Sequence, residues 1–196
     1  MDYKKALKLA DGITGSLVEL GFGKGNSLKE FISYMNKLQI SKRNIWIYES
    51  FDGYNTPAPE DKGAFKKGEF KRPPQPAYDI KHTINSEVHL VKGYIEDTLP
   101  EQYDNSPVSI LHSHLVSYTS TQHGLDIFNK FIPVGGIIIV SDYEIFEGTK
   151  LAVDQFRAKN SPHYEVVTTN SSFIALKKVE VKDIKAKVSR TRSVLT

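Results

Sequence analysis

Residues 17–27 are Leu17-Val18-Glu19-Leu20-Gly21-Phe22-Gly23-Lys24-Gly25-Asn26-Ser27, and the rest of the chain can be interpreted outward from them. An apolar strand leads directly into three alternate glycines, and a helix opens after them. Glycine permits positive φ and lets the backbone approach a ligand without a Cβ in the way. The free amides at a helix start favour an anionic group. The stretch therefore predicts a strand, a ligand-binding turn and a helix.

Short apolar runs alternate with helical patterns along most of the chain, which is typical of a parallel α/β sheet. Seven strands are predicted, at Ser16–Leu20, Asn44–Glu49, Val88–Lys92, Val108–His112, Gly136–Ser141, Tyr164–Thr168 and Phe173–Lys177. The short link at 169–172 predicts an antiparallel hairpin for the last two strands. We therefore expect an α/β fold with a mostly parallel seven-stranded sheet and a C-terminal antiparallel hairpin.

Helices are expected on both faces of this sheet. Apolar side chains follow one helical face in three segments, namely Leu28, Phe31, Ile32, Met35 and Leu38, then Leu125, Phe128 and Ile132, then Ala152, Val153 and Phe156. The second of these helices is predicted to end at Gly135-Gly136. A further helix is predicted over Tyr3–Ala10.

Composition restricts the class of protein. The 196 residues suit one domain, placed at 1–178, and the absence of Cys excludes disulfides, thiolate zinc sites and cysteine nucleophiles. The longest apolar run, Ile137 to Val140, is too short for a membrane span, and no signal peptide is recognised, so we expect a cytoplasmic protein. Residues 179–196 form a basic tail that is expected to be flexible.

Residues 52–86 differ from the rest because they lack a clean periodicity. Prolines recur there, at Pro57, Pro59, Pro73, Pro74 and Pro76. We interpret the segment as an insertion on the carboxyl side of the sheet. Two alternatives stay open for it, a mobile surface loop and a lid over a substrate.

Two acidic residues indicate the ligand of the glycine turn. Glu49 ends the second strand, where a carboxylate suits a ribose diol, and Glu19 directly precedes the glycines. An acid in that place repels a pyrophosphate but suits a cation, and the glycine spacing differs from G-x-G-x-x-G. The pattern therefore favours S-adenosylmethionine over NAD. Alternatively, Glu19 pairs with Lys24 or with a lysine of the N-terminal helix, and Glu49 caps the following turn.

Five blocks carry a family resemblance: Glu19 to Ser27, Tyr48-Glu49-Ser50-Phe51-Asp52-Gly53, Gly93-Tyr94-Ile95-Glu96-Asp97-Thr98-Leu99-Pro100, Gly135 to Tyr143 and Gly148 to Phe156. In this order they resemble the class I S-adenosylmethionine-dependent methyltransferases, and within them the macrocin O-methyltransferase family. The resemblance covers residues 16 to 160 and implies a Rossmann-like fold. It also implies a homodimer, since members of this family often pair.

The resemblance implies a set of cofactor-binding residues. Glu19, Gly21 and Gly23 correspond to the methionine end, Glu49 to the ribose, and the turn at Gly93 to the adenine. The complete set expected to bind S-adenosylmethionine is Glu19, Gly21, Phe22, Gly23, Ser27, Glu49, Ser50, Gly93, Tyr94 and His112.

The chain departs from the family at its metal site. His114 and Val116 stand where the family has two aspartates after the fourth strand. Ser141 replaces the first acid of a later pair, so that Asp142 alone remains. Because Mg²⁺ prefers oxygen ligands, a magnesium site of the family type is predicted to be lost.

Three interpretations of His112, His114 and Asp142 stay open. In the first, the three residues form a site for a transition metal, with His114 and Asp142 as ligands. Alternatively, His114 is a metal-free general base, with Asp142 as the second catalytic residue. In the third, the histidines are structural, or the protein binds the cofactor without the family's chemistry.

The predicted function is S-adenosylmethionine-dependent O-methylation of a small hydroxylated, sugar-like acceptor. The alternative is a non-catalytic cofactor-binding or interaction protein. Nucleic acid is not an expected partner, because residues 1–176 carry a net charge of −2 and the chain has no Asn/Asp-Pro-Pro-Tyr motif.

Overall fold

The computed structural model describes residues 3–38, 43–83 and 86–181. Its strands are β1 Ser16–Leu20, β2 Ile45–Glu49, β3 Val88–Lys92, β4 Val108–Ser113, β5 Ile137–Ser141, β6 Tyr164–Asn170 and β7 Phe173–Lys178. Its α-helices are α1 Tyr3–Leu9, α2 Asn26–Leu38, α3 Gln75–Thr83, α4 Ile95–Thr98, α5 Tyr118–Phe128 and α6 Glu147–Lys159. A 3₁₀ turn covers Pro59–Asp61.

All seven strands join one sheet in the order β3-β2-β1-β4-β5-β7-β6. The first five are parallel, and β7 pairs antiparallel with both β5 and β6. The predicted mostly parallel sheet with its C-terminal antiparallel hairpin is therefore confirmed.

Helices cover both faces of the sheet, as predicted. Successive strand residues point to opposite faces, so Leu17 and Ile110 pack with α1, α2 and α3. Val18 and Leu111 pack with α4, α5 and α6 on the other face. The two buried layers hold the strand ends in fixed positions, and those ends carry the site.

The structure corrects two details of the helix prediction. The helix after β4 ends at Phe128 and not at Gly135-Gly136. Pro133 disfavours a helical conformation at Ile132, so the helix could not have continued to those glycines. The helix α3 lies inside the segment without periodicity; only two of its described side chains, Ala77 and Ile80, join the core, which is too few to show a stripe in the sequence.

The basic tail lies almost entirely outside the described residues, so its predicted flexibility stays a prediction. Val179 is the last buried apolar residue before that boundary. None of the helices in the described ranges has the length and apolar character needed to cross a bilayer.

Candidate functional site

The carboxyl ends of β1, β2, β4 and β5 border one cavity of about 410 Å³. The strand order changes direction between β1 and β4, and ligands of such sheets bind at that point. Ten residues singled out from the sequence line it, namely Gly21, Phe22, Gly23, Ser27, Glu49, Ser50, Gly93, Tyr94, His114 and Asp142. The structure therefore brings most of the predicted cofactor and catalytic residues to one place.

Gly21 forms the closest approach of the glycine loop to the neighbouring strand. Its φ is +83°, and a Cβ there would lie 2.7 Å from the carbonyl oxygen of His114. The amide of His114 donates to the carbonyl of Leu20 at 2.8 Å, which holds the two chain segments together. Position 21 therefore accepts only glycine without a shift of the backbone.

Glu49 holds the glycine loop by its carboxylate. Its Oε2 accepts hydrogen bonds from the amides of Phe22 at 2.9 Å and Gly23 at 3.0 Å. Its Oε1 accepts from the amide of Phe51 at 3.2 Å, so it also caps the turn after β2. A carboxylate offers about four acceptor positions. Ser50 Oγ lies 3.5 Å from Oε1 but donates at 2.9 Å to the carbonyl of Gly53, so one position is left for a ligand. Binding of a ribose stays a prediction.

Glu19 and His112 do not line the cavity but lie beneath it, fully buried in the sheet. The parallel register of β1 and β4 places them opposite each other, with 3.3 Å between Glu19 Oε1 and His112 Nδ1. The other ring nitrogen of His112 lies 2.9 Å from Ser141 Oγ. The alternative partners proposed for Glu19 from the sequence, all lysines, are therefore wrong, and direct contact of Glu19 or His112 with the cofactor stays a prediction.

Burial controls the protonation of this pair. Loss of solvent raises the pKa of Glu19 to about 8 and lowers the pKa of His112 to about 3. The nearby charge of His114 lowers the pKa of Glu19, and that of Glu49 raises it, so the buried carboxyl responds to charges on the cavity wall. In the described part of the chain, Glu19 Oε2 has no hydrogen-bond partner.

His114 and Asp142 form the second titratable pair of the site. His114 Nε2 lies 3.1 Å from Asp142 Oδ2, and the two side chains are 40% and 26% exposed. The hydrogen bond to Asp142 raises the pKa of His114 above its usual value. Asp142 has a positive φ of 59°, and its amide donates to the carbonyl of Ser172. The pairing of β5 with β7 thus holds Asp142 and its carboxylate beside the imidazole.

The residues present do not fit the magnesium site that the family resemblance implies. Val116 is a buried apolar residue, and Ser141 Oγ is within hydrogen-bond distance of His112, which leaves Asp142 as the carboxylate. His112 has its ring nitrogens against Glu19 and Ser141, so it does not converge with His114. Within 3–38, 43–83 and 86–181, no three His, Asp or Glu side chains are grouped to hold a metal ion.

The insertion contributes lining residues that the sequence did not reveal. Its five residues on the cavity wall are Gly53, Tyr54, Asn55, Phe70 and Arg72. Tyr54 packs against Phe65 and Phe70, with ring centroids 4.9 and 5.2 Å apart. The recurrence of aromatic and basic residues between prolines was the available signal, but it has no period from which a position can be derived.

Two carboxylates attach the insertion to α5. Buried Asp61 accepts from the amide of Tyr118 at 2.7 Å and from the amide of Ala58 at 2.8 Å. Glu96 accepts from Ser120 Oγ at 2.5 Å and from Asn55 Nδ2 at 3.4 Å. The insertion is therefore a fixed wall of the cavity in this structure, while its function as a lid stays a prediction.

Comparison with known proteins gives one consistent family. The profile of macrocin-O-methyltransferase (TylF) matches residues 4–174. Demethyldecarbamoylnovobiocin O-methyltransferase of Streptomyces niveus is 24% identical over 173 residues, which are 82% of this chain and 64% of that protein. An 8-demethyl-8-(2,3-dimethoxy-alpha-L-rhamnosyl)-tetracenomycin-C 4'-O-methyltransferase of Streptomyces olivaceus is 23% identical over 169 residues, which are 81% of this chain and 64% of that protein.

A solved structure shares the fold. The O-methyltransferase NovP superposes with a TM-score of 0.76 at 22% identity, covering 90% of this chain and 80% of that one. The Rossmann-like class I methyltransferase fold expected from the sequence is thus confirmed. The chain spans 64% of the length of the two curated relatives that it matches.

Proposed function

Since this chain belongs to the macrocin O-methyltransferase (TylF) family, we propose that it is an S-adenosylmethionine-dependent O-methyltransferase acting on a small, sugar-like hydroxylated acceptor. The observation that carries the proposal is the single cavity that combines the Gly21 loop, Glu49 and the His114–Asp142 pair. The relative from Streptomyces olivaceus is named for methylation at the 4' position of a compound with a rhamnosyl group, which supports a sugar-like acceptor.

The residues of the cavity fit S-adenosylmethionine, which supplies an electrophilic methyl group on a sulfonium. Gly23 lines the cavity, and beyond its chain neighbours no atom of the described residues lies within 4 Å of where a Cβ would stand, so the loop leaves its backbone open to a close ligand. We assign the ribose to Glu49 and the adenine to the wall at Gly93 and Tyr94, both of which line the cavity. Buried Glu19 lies beneath the loop with one unpartnered oxygen and favours a cation by its charge when it is ionised.

His114 is the proposed general base. With its Nε2–H donated to Asp142, Nδ1 is the nitrogen that accepts a proton. S-adenosylmethionine would supply the methyl group to the acceptor oxygen and leave as S-adenosylhomocysteine, and Nδ1 of His114 would take the hydroxyl proton. The cavity walls hold the acceptor in line with the methyl group, which is the main contribution that proximity makes to such a reaction.

Isothermal titration tests the cofactor assignment. Wild-type protein is expected to bind one molecule of either S-adenosylmethionine or S-adenosylhomocysteine per chain. Glu49→Gln should weaken both affinities by about ten-fold, because it removes a charged acceptor. Glu30→Gln, an exposed change on α2, is the matched control.

Absence of heat with both ligands at high micromolar concentration would end the proposal. Binding without turnover on a panel of sugar acceptors would instead favour the non-catalytic alternative.

A further inference from the structure

Arg72 is the guanidinium on the wall of the cavity, and its environment is unusual for an arginine. The side chain is half-buried and lies 5.7 Å from the ring centroid of Phe70. Its backbone amide donates to the carbonyl of Phe51 at 3.3 Å, so the residue is tied to the end of β2. The insertion therefore holds this charge at the cavity rather than in open solvent.

The charge of Arg72 is not neutralised by a nearby acid. Two other basic residues of the insertion have partners: Lys71 Nζ lies 3.1 Å from Asp52 Oδ1, and Lys62 pairs with Glu147. For Arg72, no carboxylate of the described residues is within ion-pair distance. A partly desolvated guanidinium with its fork of donors is stabilised best by a planar or tetrahedral oxyanion.

Arg72 lines the same cavity as the proposed base. Burial raises the pKa of Tyr54, the charge of Asp142 raises it further, and the charge of Arg72 lowers it. Tyr54 is thus within electrostatic reach of both Asp142 and Arg72, and all three residues line the cavity with His114. An acceptor that occupies this cavity with its hydroxyl at His114 can therefore carry a further group that meets Arg72.

We propose that Arg72 binds an anionic group of the acceptor, a carboxylate or a phosphate, and so selects charged over neutral sugars. This inference rests on the proposed function, because it assumes that the cavity holds a cofactor and an acceptor together. It adds a specificity residue and a substrate class to that function.

The test uses the full chain saturated with S-adenosylhomocysteine and three probes with the same sugar body: glucose, glucuronate and glucose 1-phosphate. Affinities are measured by titration at low ionic strength for the wild type, Arg72→Met, Arg72→Lys and Lys71→Met. Lys71→Met is the matched control, because it removes the same charge at the adjacent position, from a side chain that is 71% exposed and pairs with Asp52.

At least one anionic probe is expected to bind the wild type about ten-fold or more tightly than glucose, since a charged hydrogen bond has about that effect. The preferred anion identifies carboxylate or phosphate. Arg72→Met should abolish the preference, Arg72→Lys should keep part of it, and Lys71→Met should leave it intact.

Equal affinities for the three probes, or no binding of any of them at millimolar concentration, would overturn the inference. So would a preference that persists in Arg72→Met. If Arg72→Met instead weakens S-adenosylhomocysteine and leaves the probes unchanged, Arg72 binds the cofactor's own carboxylate and the inference is wrong. Failure of the proposed function is distinct, because it appears as wild-type protein that does not bind S-adenosylhomocysteine.

Discussion

At the level of single residues, the proposed chemistry of this site depends on one imidazole and one carboxylate. His114 stands where the family resemblance has an aspartate, and Asp142 lies 3.1 Å from it. A carboxylate beside a histidine orients the ring and stabilises its protonated form. The pair therefore has the composition of a general base with an orienting partner, and it needs no metal to accept a proton.

This pair predicts a defined pH profile. Only neutral His114 accepts a proton, so kcat/KM should rise with pH through a pKa above 6.5, because Asp142 raises that pKa. Asp142→Asn should move the rise to lower pH and reduce turnover by roughly 10- to 100-fold, since the imidazolium loses its stabilising charge. His114→Ala should remove the rise while leaving the affinity for S-adenosylhomocysteine near that of the wild type.

Glu144→Gln is the control for this profile, because Glu144 is a nearby carboxylate that pairs with Lys150. Steady-state rates across the pH range measure the effect. If the pH dependence of kcat/KM is the same in Asp142→Asn as in the wild type, the His114–Asp142 pair is not the base.

At the level of elements, hydrogen bonds to a buried carboxylate anchor the insertion between β2 and β3. Asp61 joins its 3₁₀ turn to the first residue of α5. Position 148 at the start of α6 must be glycine there, because a Cβ would collide with Asp61 Oδ1. Three segments far apart in the chain thus meet at one buried carboxylate.

Asp61→Ala should therefore loosen the insertion. It leaves the amides of Tyr118 and Ala58 without their acceptor, so the free energy of unfolding should fall by about 2 kcal/mol. The acceptor KM should rise several-fold, while the affinity for S-adenosylhomocysteine changes little. Urea unfolding and steady-state kinetics measure the two effects.

Glu60→Ala is the control for Asp61→Ala, because it removes the adjacent acid of the same turn. If Asp61→Ala left both stability and the acceptor KM unchanged, the anchoring function of this carboxylate would be refuted.

At the level of the whole molecule, the buried pair Glu19–His112 couples folding to pH. With the pKa of Glu19 at about 8 and that of His112 at about 3, the folded pair keeps one proton between those values. In the unfolded chain the pKa of Glu19 has its ordinary value of 4.5 and that of His112 its ordinary value of 6.5. Between pH 6.5 and about 8 the unfolded pair therefore has fewer protons than the folded pair, and between about pH 3 and pH 4.5 it has more. The contribution of the pair to stability is therefore greatest between pH 4.5 and pH 6.5 and falls on either side.

Glu19→Gln tests this coupling. The wild type should lose stability between about pH 6.5 and about pH 8, because its folded form must give up the proton that the unfolded form has already released. The variant has no carboxyl to ionise, so this decline should be absent from it. Urea unfolding of both proteins at about pH 5.5 and about pH 8 measures the difference. Parallel declines in the two proteins would contradict the coupling.

The predicted bounds of strands and helices agree with the structure where the sequence pattern of the element is local and strong. The strands β1 and β2 and the helix α2 were predicted to within a residue or two, because their patterns are local. The helix α5 was predicted too long, since Ile132, the last buried apolar residue of the predicted stripe, lies beyond the end of the helix at Phe128. The helix α3 has few core contacts, and its weak pattern did not distinguish it from a loop.

The sequence alone established the α/β class, the strand sequence, the glycine turn and the departure from the family's metal acids, because each depends on residue type and near-neighbour spacing. Tertiary structure decided which side chains meet. The register of β1 and β4 gave Glu19 a histidine partner in place of a lysine. Folding of the insertion placed Arg72 on the cavity wall and Asp61 on α5. These contacts join residues distant along the chain, and packing of the whole sheet and its helices fixes them, which no local pattern encodes.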